Sequence, residues 1–126
     1  MDRIINIDGK DVKFRATART PRLYRGIIGR DMIADMNKLS KAYREVTKAH
    51  ENDTEEEISD ARLSVTDLQI FEDVAYIMAR HADPEITVSP DEWLDSFNMF
   101  SIYKVMPTIL ELWAINNKTT STPKKK

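Results

Sequence analysis

The sequence predicts an α+β fold, mostly helical, in which an N-terminal β-hairpin is followed by four to five α-helices around one core. Apolar side chains recur at helical spacing from Thr66 to Ala82. Two short alternating stretches near the N-terminus flank an Asp-Gly pair, which is a strong hairpin signal. The chain has 126 residues, 41% of them hydrophobic, which suits one domain with a real core.

The segment from Thr66 to Ala82 predicts the central helix of this core. Its apolar side chains form one stripe at i, i+3, i+7, i+10 and i+14 and a second stripe beside it: Leu68, Phe71, Ala75, Met78 and Ala82, then Ile70, Val74 and Ile77. Because most of the circumference is apolar, exposure to water would be costly and we expect burial. We expect Thr66 to cap the helix together with Gln69, and Asp67 to interact favourably with the helix dipole. The Asp-Pro pair at 83–84 should end the helix.

The first 46 residues predict the hairpin and two helices. Strands at 4–7 and 12–16 flank a turn at 8–11, and one face of the second strand is apolar: Val12, Phe14 and Ala16. Thr20 and Pro21 mark a helix start, and Gly29 should end that helix in a left-handed conformation. A longer helix to about Val46 follows, with this predicted apolar face: Ile33, Met36, Leu39 or Ser40, and Tyr43. The alternative is one long helix that continues through Gly26 and Gly29.

The rest of the chain is predicted in three parts. The polar stretch 47–65 is compatible with a loop or with a weak acidic helix. Ser89-Pro90 is a clear helix start, and the helix has an apolar face of Trp93, Leu94, Phe97 and Phe100. Ser101 should cap a last helix to about Asn117, which Pro107 kinks or divides. We therefore expect one α+β domain at 1–118 and a disordered, dispensable Thr/Ser/Pro/Lys tail at 119–126.

Several classes of site lack a sequence signature. The chain has no cysteine for a disulfide or a thiolate metal site, and it shows no apolar run of membrane-spanning length and no signal peptide. We find no Gly-rich phosphate loop, nucleophile elbow or metal-binding helix motif. The two histidines, His50 and His81, fall near predicted helix ends, where a charge–dipole contact is the ordinary role. The expectation is a protein that is not an enzyme and needs no cofactor or metal.

Charge is distributed unevenly although the net charge is only −2. Residues 1–50 carry twelve Lys and Arg against six Asp and Glu, whereas residues 51–111 carry three against fifteen. This asymmetry either neutralises itself within one fold or marks a partner surface. The candidate partner-binding residues are a basic stretch with one tyrosine and a set of C-terminal aromatic side chains: Arg15, Arg19, Arg22, Tyr24, Arg25 and Arg30, and Trp93, Phe97, Tyr103 and Trp113. For the aromatic set, a core position is the competing interpretation.

Six phrases of the chain resemble the tail assembly chaperones of long-tailed phages and prophages of Gram-positive bacteria. The phrases are F-R-A-T-A-R-T-P-R-L-Y-R (14–25), G-R-D-M-I-A-D-M-N-K-L (29–39), F-E-D-V-A-Y-I-M-A (71–79), E-W-L-D-S-F (92–97), Y-K-V-M-P-T-I-L-E-L-W (103–113) and T-T-S-T-P-K-K-K (119–126). The likeness covers nearly the whole chain except the acidic stretch 48–62. It implies a non-enzymatic protein that binds the tape measure protein and helps recruit tail tube subunits. It further implies a location in the cytoplasm of the bacterial host, absence from the mature virion and, in many members, a longer form made by ribosomal frameshifting.

Two other functions compete with this expectation. The first is a small nucleic-acid-binding regulator that uses the basic stretch Arg15–Arg30, although the isoelectric point near 5.7 argues against a nucleic-acid partner. The second is a minor virion structural protein such as a head–tail connector component. The unlike halves and the exposed strand edges also predict head-to-tail self-association between the basic stretch and the acidic region 51–95.

Overall fold

The computed structural model contains a two-stranded antiparallel hairpin followed by five α-helices and one 3-10 helix in the described residues, which are 1–50, 63–99 and 101–121. The elements are β1 (Asp2–Ile7), β2 (Lys10–Arg15), α1 (Thr20–Ile27), α2 (Met32–His50), α3 (Val65–Ala82), α4 (Pro90–Leu94), the 3-10 helix (Ile102–Val105) and α5 (Met106–Ser121). This architecture confirms the predicted α+β, mostly helical fold. No helix in the described ranges combines the length and apolarity needed to cross a lipid bilayer.

Helix α3 lies at the centre of the core, as its two apolar stripes predicted. Its buried apolar side chains are Ile70, Phe71, Val74, Ala75, Tyr76, Ile77, Met78 and Ala79. The hairpin and helices α1, α2, α4 and α5 all contact it. The predicted Thr66 cap is wrong, because Ser64 accepts the N–H of Asp67 and the Asp67 carboxylate accepts the N–H of Ser64. The helix therefore begins two residues earlier, and it ends at Ala82, before the Asp-Pro pair, as predicted.

The hairpin pairs Asp2 with Arg15 at its open end and Ile7 with Lys10 at its turn. The turn consists only of Asp8 and Gly9, shorter than the predicted 8–11, because both residues have positive φ (56° and 83°), which a two-residue hairpin turn of this hand requires. Phe14 on the inner face is fully buried against α3, and the apolar face predicted for the second strand is confirmed.

Helices α1 and α2 are separated at Gly29, whose φ of +89° confirms the predicted left-handed break. Pro21 lies in the first turn of α1, but the predicted Thr20 cap is wrong: its hydroxyl accepts the N–H of Thr17, outside the helix. In α2 the predicted core position of Ile33 is wrong, since its side chain is 53% exposed. The buried stripe is Met32, Met36 and Leu39, and its phase turns Ile33 towards solvent. Helix α2 continues four residues past Val46, to His50.

The C-terminal third begins with the short helix α4, which ends at Leu94. Pro107 lies in the first turn of α5, so the predicted last helix is divided into a 3-10 helix and an α-helix. The predicted Ser101 side-chain cap is wrong, because this hydroxyl donates to Asp8 instead. Helix α5 reaches Ser121, so the first three residues of the predicted tail are helical; the rest of the tail, Phe100 and the stretch 51–62 lie outside the described residues.

Candidate functional site

An open cleft of about 410 Å³ lies between the hairpin and the segment that follows α3. One wall is strand β2, and the other wall contains the end of α3, the connector to α4 and the residues after α4. The lining residues are Lys10, Asp11, Val12, Lys13, Ala82, Asp83, Ile86, Trp93, Ser96 and Phe97. The structure therefore brings two of the predicted aromatic residues, Trp93 and Phe97, into one concave site beside a strand.

The aromatic floor of the cleft consists of Trp93 and Phe97, whose rings continue a row of edge-to-face contacts that begins at Tyr76. The ring centroids of Tyr76 and Trp93 are 5.8 Å apart, and those of Trp93 and Phe97 are 5.0 Å apart. Trp93 is buried with 6% of its surface exposed, whereas Phe97 is half-buried. The Tyr76 hydroxyl also donates to the carbonyl of Val88 and accepts from Arg80 at 2.9 Å, which holds the connector against α3. Such pairs add about 0.5–1.5 kcal/mol each beyond area burial and so stabilise the arrangement of the rings.

The local sequence places these rings through a capping box. Ser89 accepts the N–H of Glu92 at 3.1 Å, and the Glu92 carboxylate accepts the N–H of Ser89 at 3.2 Å. Pro90 occupies the first turn, where its missing N–H costs nothing. The hydroxyl of Ser96 then donates to the carbonyl of Trp93 at 2.6 Å and closes the turn after α4. The cap and this closing turn direct Trp93 inward and leave Phe97 at the cleft.

Asp8, in the hairpin turn, ties the two walls of the cleft together at one end. Its carboxylate accepts from the Asn98 N–H at 2.8 Å, from the Asn98 Nδ2 at 3.1 Å and from the Ser101 hydroxyl at 2.6 Å. The hydrogen bond from Ser101, and next those from Asn98, lower the pKa of Asp8. Beside it, the Lys10 ammonium donates to the carbonyl of Ser96 at 3.2 Å and lies 5.8 Å from the centre of the Phe97 ring.

The predicted basic stretch is divided by the structure into engaged and solvent-facing residues. The Arg30 guanidinium donates to Asp35 at 2.8 Å, to Asp73 at 2.7 Å and to the Tyr24 hydroxyl at 2.9 Å. The Tyr24 hydroxyl donates to Asp35 at 2.7 Å, and the side chain is fully buried. Burial, and next the bond to Asp35, raise the pKa of Tyr24. Tyr24 and Arg30 thus join α1, α2 and α3, a structural role that the sequence pattern did not predict.

The remaining arginines of the stretch behave differently from one another. Arg15 forms an ion pair with Asp2 at 2.9 Å across the hairpin. Three arginines at a spacing of three residues, Arg19, Arg22 and Arg25, are exposed at α1 and its N-cap. Their guanidinium groups have no hydrogen-bond or ion-pair partner in the part of the chain that the structure describes. We call these three residues the arginine stripe; it is a second candidate surface, separate from the cleft.

The other predicted aromatic residues do not reach the cleft. The Tyr103 hydroxyl donates to Glu72 at 2.6 Å, and its ring lies 6.0 Å from that of Phe71. The hydrogen bond to Glu72, and next burial, raise the pKa of Tyr103 to about 12. Trp113 on α5 is half-buried against the core. Both residues stabilise the helical packing.

His81 has a role other than the predicted charge–dipole contact. Its Nε2 lies 2.8 Å from the Thr17 hydroxyl. Burial, and next the charges of Arg19 and Arg15, lower the pKa of His81, so the neutral imidazole is favoured. The side chain thus joins the end of α3 to the segment between β2 and α1. The side chain of His50 lies outside the described residues.

Sequence reasoning missed the residues of the cleft other than Trp93 and Phe97. Lys10, Lys13 and Ile86 carry no motif, and Asp8 was interpreted only as a turn residue. The Asp-Gly signal located the turn, but no local pattern indicated that Asp8 would bind Asn98, 90 residues later. The contact therefore had to come from the tertiary structure.

Comparison with known proteins adds no relative: no family model, no curated protein and no solved structure matches the chain. In residues 1–50, 63–99 and 101–121 there is also no cluster of three or more His, Asp or Glu side chains placed to hold a metal ion.

Proposed function

We propose that this protein is a non-enzymatic phage tail assembly chaperone that binds the tape measure protein and helps recruit tail tube subunits. The structural observation that carries the proposal is the cleft in which Trp93 and Phe97 form an aromatic floor beside strand β2. Sequence phrases that resemble this chaperone family support the proposal independently, and one of them, E-W-L-D-S-F, contains both aromatic residues.

The chemistry of the cleft suits binding of a polypeptide. Aromatic side chains in desolvated pockets are the usual anchors of protein interfaces, and here one ring is buried while its neighbour is half-exposed. The capping box of α4 and the hydrogen bonds of Asp8 hold the walls in place before a partner arrives. Binding to a preorganised site loses less entropy, and more of the contact energy therefore contributes to affinity.

The proposal places the protein in the cytoplasm of a bacterial host during tail assembly and outside the mature virion. Purified virions of the phage separate this role from that of a head–tail connector component. A chaperone is absent from them, whereas a connector is a stoichiometric component. A frameshifted longer form belongs to the same proposal, and detection of that form in infected cells would support it.

Co-purification tests the proposed function. The full chain with an affinity tag is co-expressed with the tape measure product of the same genome, and we expect both proteins to elute together. Phe97→Ala removes the half-exposed anchor and should reduce the recovered partner by about tenfold, equivalent to about 1.4 kcal/mol. Ile33→Ala, an exposed apolar residue outside the cleft, is the matched control. Failure of the wild-type chain to retain the tape measure product would overturn the proposal.

A second candidate function rests on the arginine stripe. Three exposed guanidinium groups on one helix face are able to contact a phosphate backbone, and such binding weakens steeply with salt. Fluorescence anisotropy with duplex DNA and with single-stranded RNA, across a salt titration, tests this function. Loss of binding in Arg22→Glu supports it, and absence of binding in the wild type at low salt eliminates it.

A further inference from the structure

The outer edge of β2 presents backbone groups that no other strand uses. The Ala16 N–H donates to the Met1 carbonyl, and the N-terminal ammonium of Met1 donates to the Ala16 carbonyl. Because antiparallel pairs alternate, Arg3–Phe14, Ile5–Val12 and Ile7–Lys10 are also the hydrogen-bonded pairs. The N–H and C=O groups of Asp11 and Lys13 therefore point away from β1. They have no backbone partner within the described residues.

The cleft follows this edge of the strand. Successive side chains of a strand point to opposite faces of the sheet, so a cleft over one face contacts every second residue. Here four consecutive residues, 10–13, line the cleft. Consecutive lining is expected where a cleft runs along a strand edge, and no residue of β1 contributes to it. The unpaired edge and the aromatic floor thus belong to one continuous site.

The charges of the cleft indicate which segment fits. The carboxylate of Asp11 already accepts from Asn6 at 3.0 Å, and that of Asp83 accepts from the N–H of Glu85 at 3.1 Å. The ammonium of Lys10 is bound to the carbonyl of Ser96. Lys13 is exposed, and its ammonium forms no hydrogen bond or ion pair in the ranges that the structure describes, although its charge acts on the carboxylate of Asp2. Lys13 is therefore the lining residue whose charged group is left open to a charged group of a partner.

We propose that β2 binds an extended segment of the partner protein as a third strand, with a large apolar side chain on the Trp93–Phe97 floor and a carboxylate opposite Lys13. Strand addition explains the unpaired edge and the consecutive lining together, and the exposed ammonium of Lys13 is available to the added segment. The inference rests on the proposed function only for the identity of the partner, the tape measure protein. It adds that the recognised segment is extended rather than helical.

Proline substitutions at the two strand edges test the inference. Lys13→Pro removes the outward N–H of β2, and proline is tolerated where that N–H faces solvent. Ile4→Pro makes the same change at the facing position of β1, which lies outside the cleft. Lys13→Ala keeps the N–H and removes only the charge. Circular dichroism and thermal melting of each variant verify that the hairpin is folded before binding is compared.

The binding measurement uses overlapping synthetic peptides of about 15 residues that cover the tape measure protein, titrated by fluorescence polarisation. We expect the wild type to bind at least one peptide in which apolar and acidic residues alternate. Lys13→Pro should weaken it by about tenfold or more, since an interfacial backbone hydrogen bond and a charge contact are both lost. Lys13→Ala should weaken it less, and Ile4→Pro less than about twofold. Amide hydrogen exchange at Asp11 and Lys13 should slow when the peptide binds.

Each outcome separates the two proposals. If a tape measure peptide binds and Lys13→Pro binds it as tightly as Ile4→Pro does, strand addition is overturned and the proposed function stands. If no tape measure peptide or protein binds, the proposed function fails, and a random 12-residue peptide library then decides the inference. Selected peptides that Lys13→Pro no longer retains support strand addition, whereas their absence refutes it. A change of oligomeric state in Lys13→Pro, without a peptide effect, would assign the edge to a second copy and overturn the inference.

Discussion

Phe71→Ala should be one of the most destabilising truncations in this protein. Phe71 lies in the middle of α3, is fully buried, and packs its ring 6.0 Å from that of Tyr103 at an angle of 41°. The substitution removes a ring from the helix that β2, α1, α2, α4 and α5 all contact. The residues around it belong to rigid elements and relax only partly, so a cavity is left.

The magnitude follows from burial and packing. Truncation of a buried phenylalanine to alanine typically costs about 3–5 kcal/mol. Loss of the aromatic contact with Tyr103 favours the upper part of that range, since such pairs add about 0.5–1.5 kcal/mol. For a domain of this size, 1 kcal/mol corresponds to roughly 4 °C in Tm, so the expected decrease is roughly 12–20 °C.

Urea unfolding monitored by circular dichroism measures this difference. We expect the midpoint to fall at an unchanged m value, which identifies a change of stability rather than of denatured-state compactness. Val65→Ala is the matched control, because Val65 is in the same helix, is 83% exposed and should change stability by less than about 0.5 kcal/mol. A difference below about 1 kcal/mol for Phe71→Ala would refute the central position of α3.

Two further predictions concern pH and self-association. The pKa of His81 is lowered in the folded chain. As the pH falls below about 6.5, the unfolded chain therefore takes up the proton on this histidine before the folded chain does. The stability present above that pH is lost as the pH falls towards and through the pKa of the folded state. Urea melts at about pH 7 and pH 5.5 should therefore show a larger loss for the wild type than for His81→Gln; equal losses would contradict this account. Contacts between the arginine stripe and the acidic region, individually worth under about 1 kcal/mol, should produce head-to-tail association visible at low salt. Sedimentation velocity should show this association for the wild type and for the Lys104→Glu control, but not for Arg22→Glu. A wild-type monomer at every concentration, or an oligomer that does not respond to salt, would argue against head-to-tail association.

Features with a short-range physical cause could be predicted from the sequence. The Asp-Gly turn, the left-handed Gly29, the capping box of Ser89 and the dense apolar stripes of α3 all depend on residues within a few positions of one another. A prediction was wrong where two neighbouring stretches of sequence could each cap the same helix. At the start of α3 the capping box is formed by Ser64 with Asp67, although Thr66 with Gln69 has the same spacing and could form the same pair of hydrogen bonds.

The candidate site could be predicted only in part. The aromatic residues Trp93 and Phe97 were identified by type, and the arginine stripe by charge. The sequence pattern did not separate them from Tyr103, Trp113, Tyr24 and Arg30, which look equally suited to a partner. Position in the fold decided the difference: Trp93 and Phe97 line the cleft, whereas the polar ends of Tyr103 and Arg30 are hydrogen-bonded to Glu72 and Asp73.

By itself the sequence determined the fold class: an α+β, mostly helical fold with an N-terminal hairpin and a strongly apolar helix. Tertiary structure decided which residues meet. It joined Arg30 to Asp73, 43 residues apart, and Asp8 to Asn98, 90 residues apart, and it placed β2 beside the aromatic floor. Contacts of such separation leave no periodicity or spacing in the chain, because they depend on how whole elements pack rather than on which residues are neighbours.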